Sequence, residues 1–339
     1  RTSVESLIGT LKKHGIPDVQ TVYFPGVDLY THVSDTALPG QRDYLRTVID
    51  SAVGQVLQAY RDAGALGSTY VLFIADHGHT PVLDDDRHAL QAEGDGEPTS
   101  LITQTGFRIR EMDLDVSEEE DDDDADEEAQ DYQAVVAYQG AMAYLYLADR
   151  STCPAVRSRC DWNRAPRWQE DVVPMLQAFD LANRTGVGVP ELEGTLDLIF
   201  SRPPRPPGQD ALPFQVWDRG RLVPVAEYLT RHPRPDLLDL AARLEGLGAG
   251  PYGHRAGDIL LLAKSGLERP IEDRFYFSNK FRSWHGSPTA QDSRIPLIVA
   301  REGASGDDIR KRVTGAVGGR PTQLSITPLV RALLDSEPR

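Results

Sequence analysis

The chain has 339 residues, of which 40% are hydrophobic, enough to bury the core of one large domain or two ordinary ones. Its net charge of −16 is local, because residues 111–131 hold 14 acidic and no basic residues, and the remainder has 38 acidic against 36 basic residues. This nearly neutral remainder gives no support to nucleic-acid binding through a basic surface. No run of about 18 apolar residues occurs, so the sequence predicts no membrane span.

Apolar periodicity predicts the main helices and strands. Residues 42–63 carry apolar side chains three and four positions apart, which predicts an amphipathic helix. The apolar run 70–75 is typical of a strand buried on both faces of a parallel sheet. With a short strand predicted at 20–24, the order strand, helix, strand indicates a right-handed crossover unit. Since 258–263 and 295–300 are further strand candidates, we expect an α/β fold with a mostly parallel central sheet flanked by helices.

Four segments are expected along the chain. Residues 1–83 form the first part of the α/β core, and residues 256–339 form its second part. Residues 84–133 are an acidic and largely disordered insertion, because densely packed like charges repel each other and cannot offset the entropy lost on ordering. Residues 134–255 mix short elements with proline-rich stretches and are expected to form a large inserted cap region.

The two cysteines, Cys153 and Cys160, lie seven positions apart in a polar, proline-containing stretch. This spacing favours a disulfide that closes a small loop, with two free thiols as the alternative. A disulfide would favour an extracytoplasmic protein, either periplasmic or secreted. A zinc knuckle is not favoured, because no second pair of cysteines or histidines lies nearby at ligand spacing.

Three segments near the predicted strands combine carboxylates with imidazoles or carry a histidine beside a glycine. They are residues 28–32 (Asp-Leu-Tyr-Thr-His), 76–79 (Asp-His-Gly-His) and 284–287 (Trp-His-Gly-Ser). Ligands of open α/β sheets bind beyond the carboxyl ends of the strands, and carboxylate oxygen with neutral imidazole suits zinc. Each segment alone is a weak signal. A capping aspartate with a surface histidine explains residues 28–32, caps or ion pairs would explain residues 76–79, and an isolated histidine such as His285 carries little information. Their order and context together indicate a metal site.

The order of these segments resembles that of phosphodiesterases of the nucleotide pyrophosphatase/phosphodiesterase type, within the alkaline phosphatase superfamily. The matching residues are Val27-Asp28-Leu-Tyr-Thr-His32, Ile74-Ala-Asp-His-Gly78, and His285-Gly-Ser followed by Arg294-Ile-Pro-Leu-Ile-Val-Ala300. The resemblance covers residues 15–80 and 255–335, and leaves the middle of the chain unassigned.

The resemblance implies a phosphate-ester hydrolase with an alkaline phosphatase-like core and two divalent metal ions, with zinc as the expected metal. Asp28, His32 and His285 would hold one ion, and Asp76 with His77 would hold the other. Two such ions lie about 4 Å apart and clamp the attacking and leaving oxygens of an in-line phosphoryl transfer. The substrate would be a small-molecule, lipid or nucleotide phosphate ester, either a monoester or a diester.

The resemblance also implies a Thr or Ser nucleophile upstream of the Asp-x-x-x-His segment. Only 27 residues precede Asp28, and their threonines and serines are better explained as helix caps and surface residues. We therefore expect the nucleophile outside this chain and an incomplete core within it. On that basis, the chain alone should bind zinc weakly and hydrolyse phosphate esters poorly.

Two further residues near these segments are open to more than one interpretation. His79 would hydrogen-bond a metal ligand or the substrate, or else it is a partly exposed loop histidine. Asp292 is expected to be a turn or ion-pair residue rather than a ligand.

Other classes of protein compete with the hydrolase interpretation. A non-catalytic binding or structural module derived from the same fold would account for the absent nucleophile, although five candidate ligands argue against it. A sulfatase would need a formylglycine motif, and neither cysteine has that context. Independent phosphoglycerate mutases usually use manganese with a different His and Asp pattern. The sequence predicts no particular oligomeric state.

Overall fold

The computed structural model describes residues 2–91, 96–109, 131–204, 211–250 and 252–335. The acidic stretch 111–131, which was expected to be disordered, lies outside the described residues except for Asp131. The chain divides into two compact units. The first unit comprises Arg1–Gly78 with Arg294–Arg339, and the second comprises His79–Ser293.

The chain contains both helices and strands throughout its described part. In chain order the helices are α1 (Thr2–His14), α2 (Gly26–Val33), α3 (Leu38–Tyr44), α4 (Asp50–Asp62), α5 (Glu97–Gln104), α6 (Val173–Thr185), α7 (Val225–Arg231), α8 (Leu240–Leu247), α9 (Ala290–Ser293), α10 (Gly306–Val317) and α11 (Ile326–Asp335). The strands are β1 (Tyr70–Ile74), β2 (Thr80–Pro81), β3 (Ala134–Gln139), β4 (Met142–Leu147), β5 (Leu196–Ser201), β6 (Gln215–Asp218), β7 (Arg221–Pro224), β8 (Ile259–Ala263), β9 (Ser283–Trp284) and β10 (Leu297–Arg301). None of the helices described here is long and apolar enough to cross a membrane.

In the first unit, α1 and α4 contribute apolar side chains to one small cluster. Leu11 and Tyr60 are buried there together with Leu66. The helix predicted at 42–63 is present as parts of α3 and α4, joined by a π-helical turn at Leu45–Ile49. The apolar face of α4 thus performs the packing role that its periodicity predicts.

The strand predicted at 20–24 is wrong. These residues form neither a helix nor a strand, and the side chain of Tyr23 is exposed. The chain instead enters α2 directly after Pro25, whose φ of −65° is already helical. Asp28 and His32 therefore lie on a helix rather than in a loop that follows a strand.

The second unit contains a six-stranded sheet in the order β3-β4-β8-β5-β6-β7. All five residues of β8 are buried, as predicted for this strand. Because successive side chains of a strand point to opposite faces of a sheet, the side chains of β8 belong to two different apolar clusters. Ile259, Leu261 and Ala263 belong to one cluster, and Leu260 and Leu262 belong to the other.

The expected α/β fold class is confirmed, but the expected mostly parallel sheet is wrong. Every pairing between the strands named above is antiparallel. The physical reason is that a continuous apolar run records burial on both faces and carries no information about strand direction. β8 is such a run, and both of its neighbours, β4 and β5, are antiparallel to it.

Ordered structure also occurs where a solvated loop was expected. α5 lies within the predicted insertion 84–133 and buries Leu101 and Ile102 in the larger core cluster. Phe107, shortly after this helix, is buried in the same cluster. The prediction was based on the acidic composition of the whole stretch and therefore did not identify these local apolar residues.

The predicted disulfide between Cys153 and Cys160 is present. Ion pairs hold the same loop region, since Arg150 and Arg167 both lie 2.9 Å from the buried carboxylate of Asp171. These contacts lower the pKa of the Asp171 carboxyl, although burial alone would raise it.

Candidate metal centre

Helix α2 presents Asp28 and His32 on one face, because residues four positions apart lie one turn apart in a helix. The Nε2 atom of His32 is 3.3 Å from Oδ1 of Asp28. The start of this helix passes close to Tyr44. A Cβ atom at Gly26 would lie 2.4 Å from the Tyr44 hydroxyl, so glycine permits this close approach.

The end of β1 presents Asp76 and His77. His77 Nδ1 lies 3.1 Å from the carbonyl oxygen of Gly78, which fits an N–H that donates to that carbonyl. In this tautomer Nε2 carries a lone pair instead of a proton, which is the form of imidazole that binds a metal ion. The backbone N–H of His77 donates to the Asp76 carboxylate over 3.1 Å, and the side-chain amide of Gln323 donates to the Asp76 carbonyl.

Within the first unit, the Asp28 carboxylate lies near both imidazoles. Its Oδ1 atom is 3.3 Å from His32 Nε2 and 3.9 Å from His77 Nε2, and Asp76 Oδ2 is 3.7 Å from His77 Nε2. An N–H···O hydrogen bond spans about 2.7–3.2 Å, so the 3.7 and 3.9 Å separations are longer than a direct hydrogen bond and the 3.3 Å separation is at its upper limit. Two ligand atoms on a tetrahedral zinc ion, each about 2.1 Å from the metal, lie about 3.4 Å apart. The separations therefore suit pairs of ligands around an ion.

Burial differs among these four side chains. His32 is buried, Asp28 and His77 are partly exposed, and the side chain of Asp76 is 62% exposed. A buried imidazole has few conformations available, so His32 is the most rigid of the four side chains. The Asp76 carboxylate is the most exposed of the four and is held by the hydrogen bond from the His77 backbone N–H.

In the second unit, the two remaining candidates, His79 and His285, are both buried. Their rings meet edge to face with centroids 5.2 Å apart, and His79 Nδ1 lies 3.2 Å from the hydroxyl of Ser283. The interpretation of His79 as a partly exposed loop histidine is therefore wrong. The backbone at His285 is fixed as well, because its carbonyl accepts a hydrogen bond from the Ala141 N–H over 3.0 Å.

Asp292, which was expected to be a turn or ion-pair residue, accepts hydrogen bonds within the second unit. Its carboxylate accepts from the hydroxyl groups of Thr80 and Ser287 over 2.6 and 2.7 Å. Burial raises the pKa of the Asp292 carboxyl, and these hydrogen bonds partly oppose that change. In the sequence, the contact between Asp292 and Ser287 is suggested only by their separation of five residues. Nothing in the sequence points to the contact between Asp292 and Thr80.

The structure brings four of the five predicted ligands together in the first unit, and His285 belongs to the second unit. One contact was not anticipated. The resemblance implies Asp28 on one ion and His77 on the other, whereas Asp28 Oδ1 lies within 3.9 Å of the imidazoles of both His32 and His77. A carboxylate with two oxygens could serve either ion.

A comparison with known protein families gives a match, which covers the N-terminal half of the chain. The sequence profile of the family described as type I phosphodiesterase / nucleotide pyrophosphatase matches residues 2–173, which is 172 of the 339 residues. The matched region contains the four candidate ligands of the first unit and also His79. A comparison with curated proteins gives no match. The match covers half of the chain and indicates a hydrolase of phosphoric esters, so the chain belongs to the type I phosphodiesterase / nucleotide pyrophosphatase family.

Proposed function

We propose that this protein hydrolyses phosphate esters, as a phosphodiesterase or phosphatase, with two divalent metal ions of which zinc is the expected metal. In this proposal Asp28, His32 and His285 hold one ion, and Asp76 and His77 hold the other. The family match supports the reaction class. The assignment of His285 rests on the sequence resemblance. The proposed substrate of the protein is a small-molecule, lipid or nucleotide phosphate ester.

The observation that carries the proposal is the spacing of donor atoms in the first unit. Oxygen and nitrogen atoms lie 3.3 Å apart in the Asp28–His32 pair and 3.7 Å apart in the Asp76–His77 pair, and the ligand types are those that zinc prefers. A purely structural His–Asp pair would be expected at hydrogen-bond distance. The His88–Asp85 pair in this protein meets that expectation, with 2.6 Å between Nδ1 and Oδ1.

The protein's own residues would position the ions and leave room for substrate. The hydrogen bond from His77 Nδ1 to the Gly78 carbonyl directs Nε2 of this ring towards the carboxylates. The exposed Asp76 side chain leaves its ion accessible to a phosphate ester. A bound divalent ion supplies Lewis acidity and neutralises charge on the phosphoryl oxygens.

Zinc binding by matched variants tests the proposal. Calorimetric titration of the metal-free protein should give a zinc affinity that His32→Ala lowers by at least about tenfold, since one of few ligands is lost. His14→Ala is the control, because His14 is an exposed histidine at the end of α1 in the same unit. Hydrolysis of bis(p-nitrophenyl) phosphate by the intact protein should require zinc and should fall with the bound zinc.

The outcomes separate the two candidate functions. Equal zinc affinities for the His32→Ala and His14→Ala variants would contradict the proposed ligand set. If the wild-type protein bound no divalent ion, a non-catalytic binding or structural module would be the better interpretation.

A further inference from the structure

The short helix α9 carries a buried aspartate, Asp292, whose side chain is 3% exposed. Its carboxylate accepts three hydrogen bonds. Oδ1 accepts from the Thr80 hydroxyl over 2.6 Å, and Oδ2 accepts from the Ser287 hydroxyl over 2.7 Å and from the Ser287 backbone N–H over 3.0 Å. All three donors are themselves buried, so the loss of this carboxylate would leave each of them without this acceptor.

These donors lie on the two segments that carry the buried histidines. Thr80 directly follows His79, and Ser287 is two residues beyond His285. The neighbouring residue Gln291 adds a further link, because its side-chain amide donates to the His79 carbonyl over 2.7 Å. Helix α9 is therefore joined to both histidine segments through side chains at adjacent positions.

The backbone between these segments provides only a limited connection. β2 and β9 pair over two residues each, with Thr80 opposite Trp284 and Pro81 opposite Ser283. Proline has no N–H, so this ladder lacks one of the donors that a regular strand would supply. Gly286 has a positive φ of 93°, which turns the chain between His285 and Ser287. The spacing of the two rings therefore depends on side-chain contacts in addition to the ladder.

We propose that Asp292 is a positioning residue that holds His79 and His285 at their observed edge-to-face spacing. The inference rests on the proposed function only in so far as His285 is a metal ligand. Asp292 itself binds neither metal nor substrate. It fixes Thr80 and Ser287, and through them the backbone next to each imidazole.

The test compares Asp292→Ala with Asp292→Asn in the whole protein. Alanine removes every acceptor, whereas asparagine keeps one carbonyl oxygen for Ser287 and an amide that the Thr80 hydroxyl can accept from. The first readout is the set of imidazole signals in nitrogen-15 NMR spectra of the metal-free protein. We expect the alanine variant to shift the signals of both His79 and His285, and the asparagine variant to restore them.

The second readout is zinc affinity measured by calorimetry. Asp292→Ala should weaken zinc binding by about tenfold, as is typical when the residues that orient a ligand are removed, and Asp292→Asn should recover most of the affinity. Asp171→Asn is the matched control. Asp171 is equally buried in the same unit, but its carboxylate pairs with Arg150 and Arg167. This control should lower stability and leave the imidazole signals and the zinc affinity unchanged.

Unchanged imidazole signals in folded Asp292→Ala protein would overturn the proposal, and so would equal shifts in the Asp171→Asn control. If the alanine variant does not fold, Thr80→Val and Ser287→Ala each remove one donor and leave the carboxylate in place. Thr80→Val should then shift the His79 signal most, Ser287→Ala should shift the His285 signal most, and the absence of both shifts would overturn the proposal. A wild-type protein without zinc affinity would contradict the proposed function alone, because the metal-free signals still test the positioning role.

Discussion

The two units contain apolar strands of similar composition in different surroundings. β1 reads Tyr-Val-Leu-Phe-Ile, and β8 reads Ile-Leu-Leu-Leu-Ala. Every residue of β8 is buried within the six-stranded sheet, whereas β1 pairs with β10 in a two-stranded sheet that leaves Ile74 43% and Ile298 57% exposed. An apolar run therefore identifies a strand, while its burial depends on how many elements pack around it.

The candidate site residues of the two units differ in a related way. In the first unit, Asp28, His32 and His77 lie at distances that suit metal ligands, and Asp76 is exposed. In the second unit, His79 and His285 are buried among hydrogen-bonded side chains. Under the proposed function, a bound ion would order the first cluster, whereas neighbouring protein groups order the second.

The largest expected difference between the two units is in the free energy of unfolding that is lost when a strand residue is replaced by alanine. Leu261→Ala removes a fully buried side chain from β8 and should lower the free energy of unfolding by about 3 kcal/mol, because a cavity forms in the core. Ile298→Ala, on exposed β10, should cost less than about 1 kcal/mol. Urea unfolding followed by circular dichroism measures both values. Equal costs would show that the exposed face of the two-stranded sheet contributes as much as the core.

Zinc should stabilise the first unit by a comparable amount. At a free zinc concentration 100 times Kd, the free energy of unfolding should rise by about 2.7 kcal/mol. Hydrogen exchange should then show increased protection of α2 and of the residues that follow β1, and chelation should reverse it. At the same zinc concentration, the tenfold or greater loss of affinity in His32→Ala should reduce this gain to about 1.4 kcal/mol or less, whereas His14→Ala should retain it. Equal protection with and without zinc would mean that protein contacts alone order the cluster.

A pH-dependent stability is expected from Asp258 in the second unit. Burial raises the pKa of its carboxyl from 3.8 to about 6, although its Oδ2 atom accepts a hydrogen bond from the Leu147 N–H over 2.9 Å. A carboxyl that holds its proton more tightly in the folded state makes the protein less stable as pH rises from 3.8 through about 6. The side chain is 23% exposed, so we expect a loss of about 2 kcal/mol rather than the full value of about 3 kcal/mol.

Asp258→Asn removes this titration and keeps an oxygen that can accept from Leu147. The stability that the wild-type protein loses through Asp258 between pH 4 and pH 7.5 should therefore not be lost in the variant. Relative to wild type, the variant should be more stable at pH 7.5 than it is at pH 4. Urea titrations of both proteins at the two pH values measure this change. An identical pH dependence would show that Asp258 titrates normally in the folded protein.

The sequence predicted the parts of the fold that depend on local pattern. The amphipathic residues of α4, the burial of β8 and the disulfide between Cys153 and Cys160 follow from periodicity, apolar composition and spacing. Strand direction could not be predicted, because pairing partners lie far apart in the chain. The segment 20–24 shows the same limit, since its short apolar pattern did not reveal that Tyr23 would be exposed.

The candidate site was predictable where residue types and short spacing specify chemistry. Asp28 with His32, and Asp76 with His77, form contacts within a helical turn or between adjacent residues. The proximity of Asp28 to His77, and the role of Asp292, depend on contacts between segments 49 and more than 200 residues apart. Such contacts follow from tertiary packing, which no local pattern in the sequence specifies.

The smallest expected effect concerns the start of α2, which presents Asp28 and His32. Gly26→Ala places a Cβ atom 2.4 Å from the Tyr44 hydroxyl, at the far end of a side chain that can move. Movement of Tyr44 would disturb its stacking on Tyr30, whose ring centroid lies 4.9 Å away. Alanine also favours a helix over glycine by up to about 1 kcal/mol, so the two effects oppose each other and the net destabilisation should be below about 1 kcal/mol.

A double-mutant cycle with Tyr44→Phe separates these effects. Phenylalanine lacks the hydroxyl, and the nearest remaining ring atom would lie 3.2 Å from the new Cβ, so that a shift of a few tenths of an ångström relieves the contact. Gly26→Ala should then be neutral or stabilising in the Tyr44→Phe background, and the coupling free energy between the two sites should be about 0.5–1 kcal/mol. Zinc affinity is measured alongside thermal unfolding, because a rigid link between Tyr44 and α2 would also move Asp28. A coupling near zero would mean that Tyr44 adjusts freely, and that the close approach at Gly26 does not determine where α2 places its ligands.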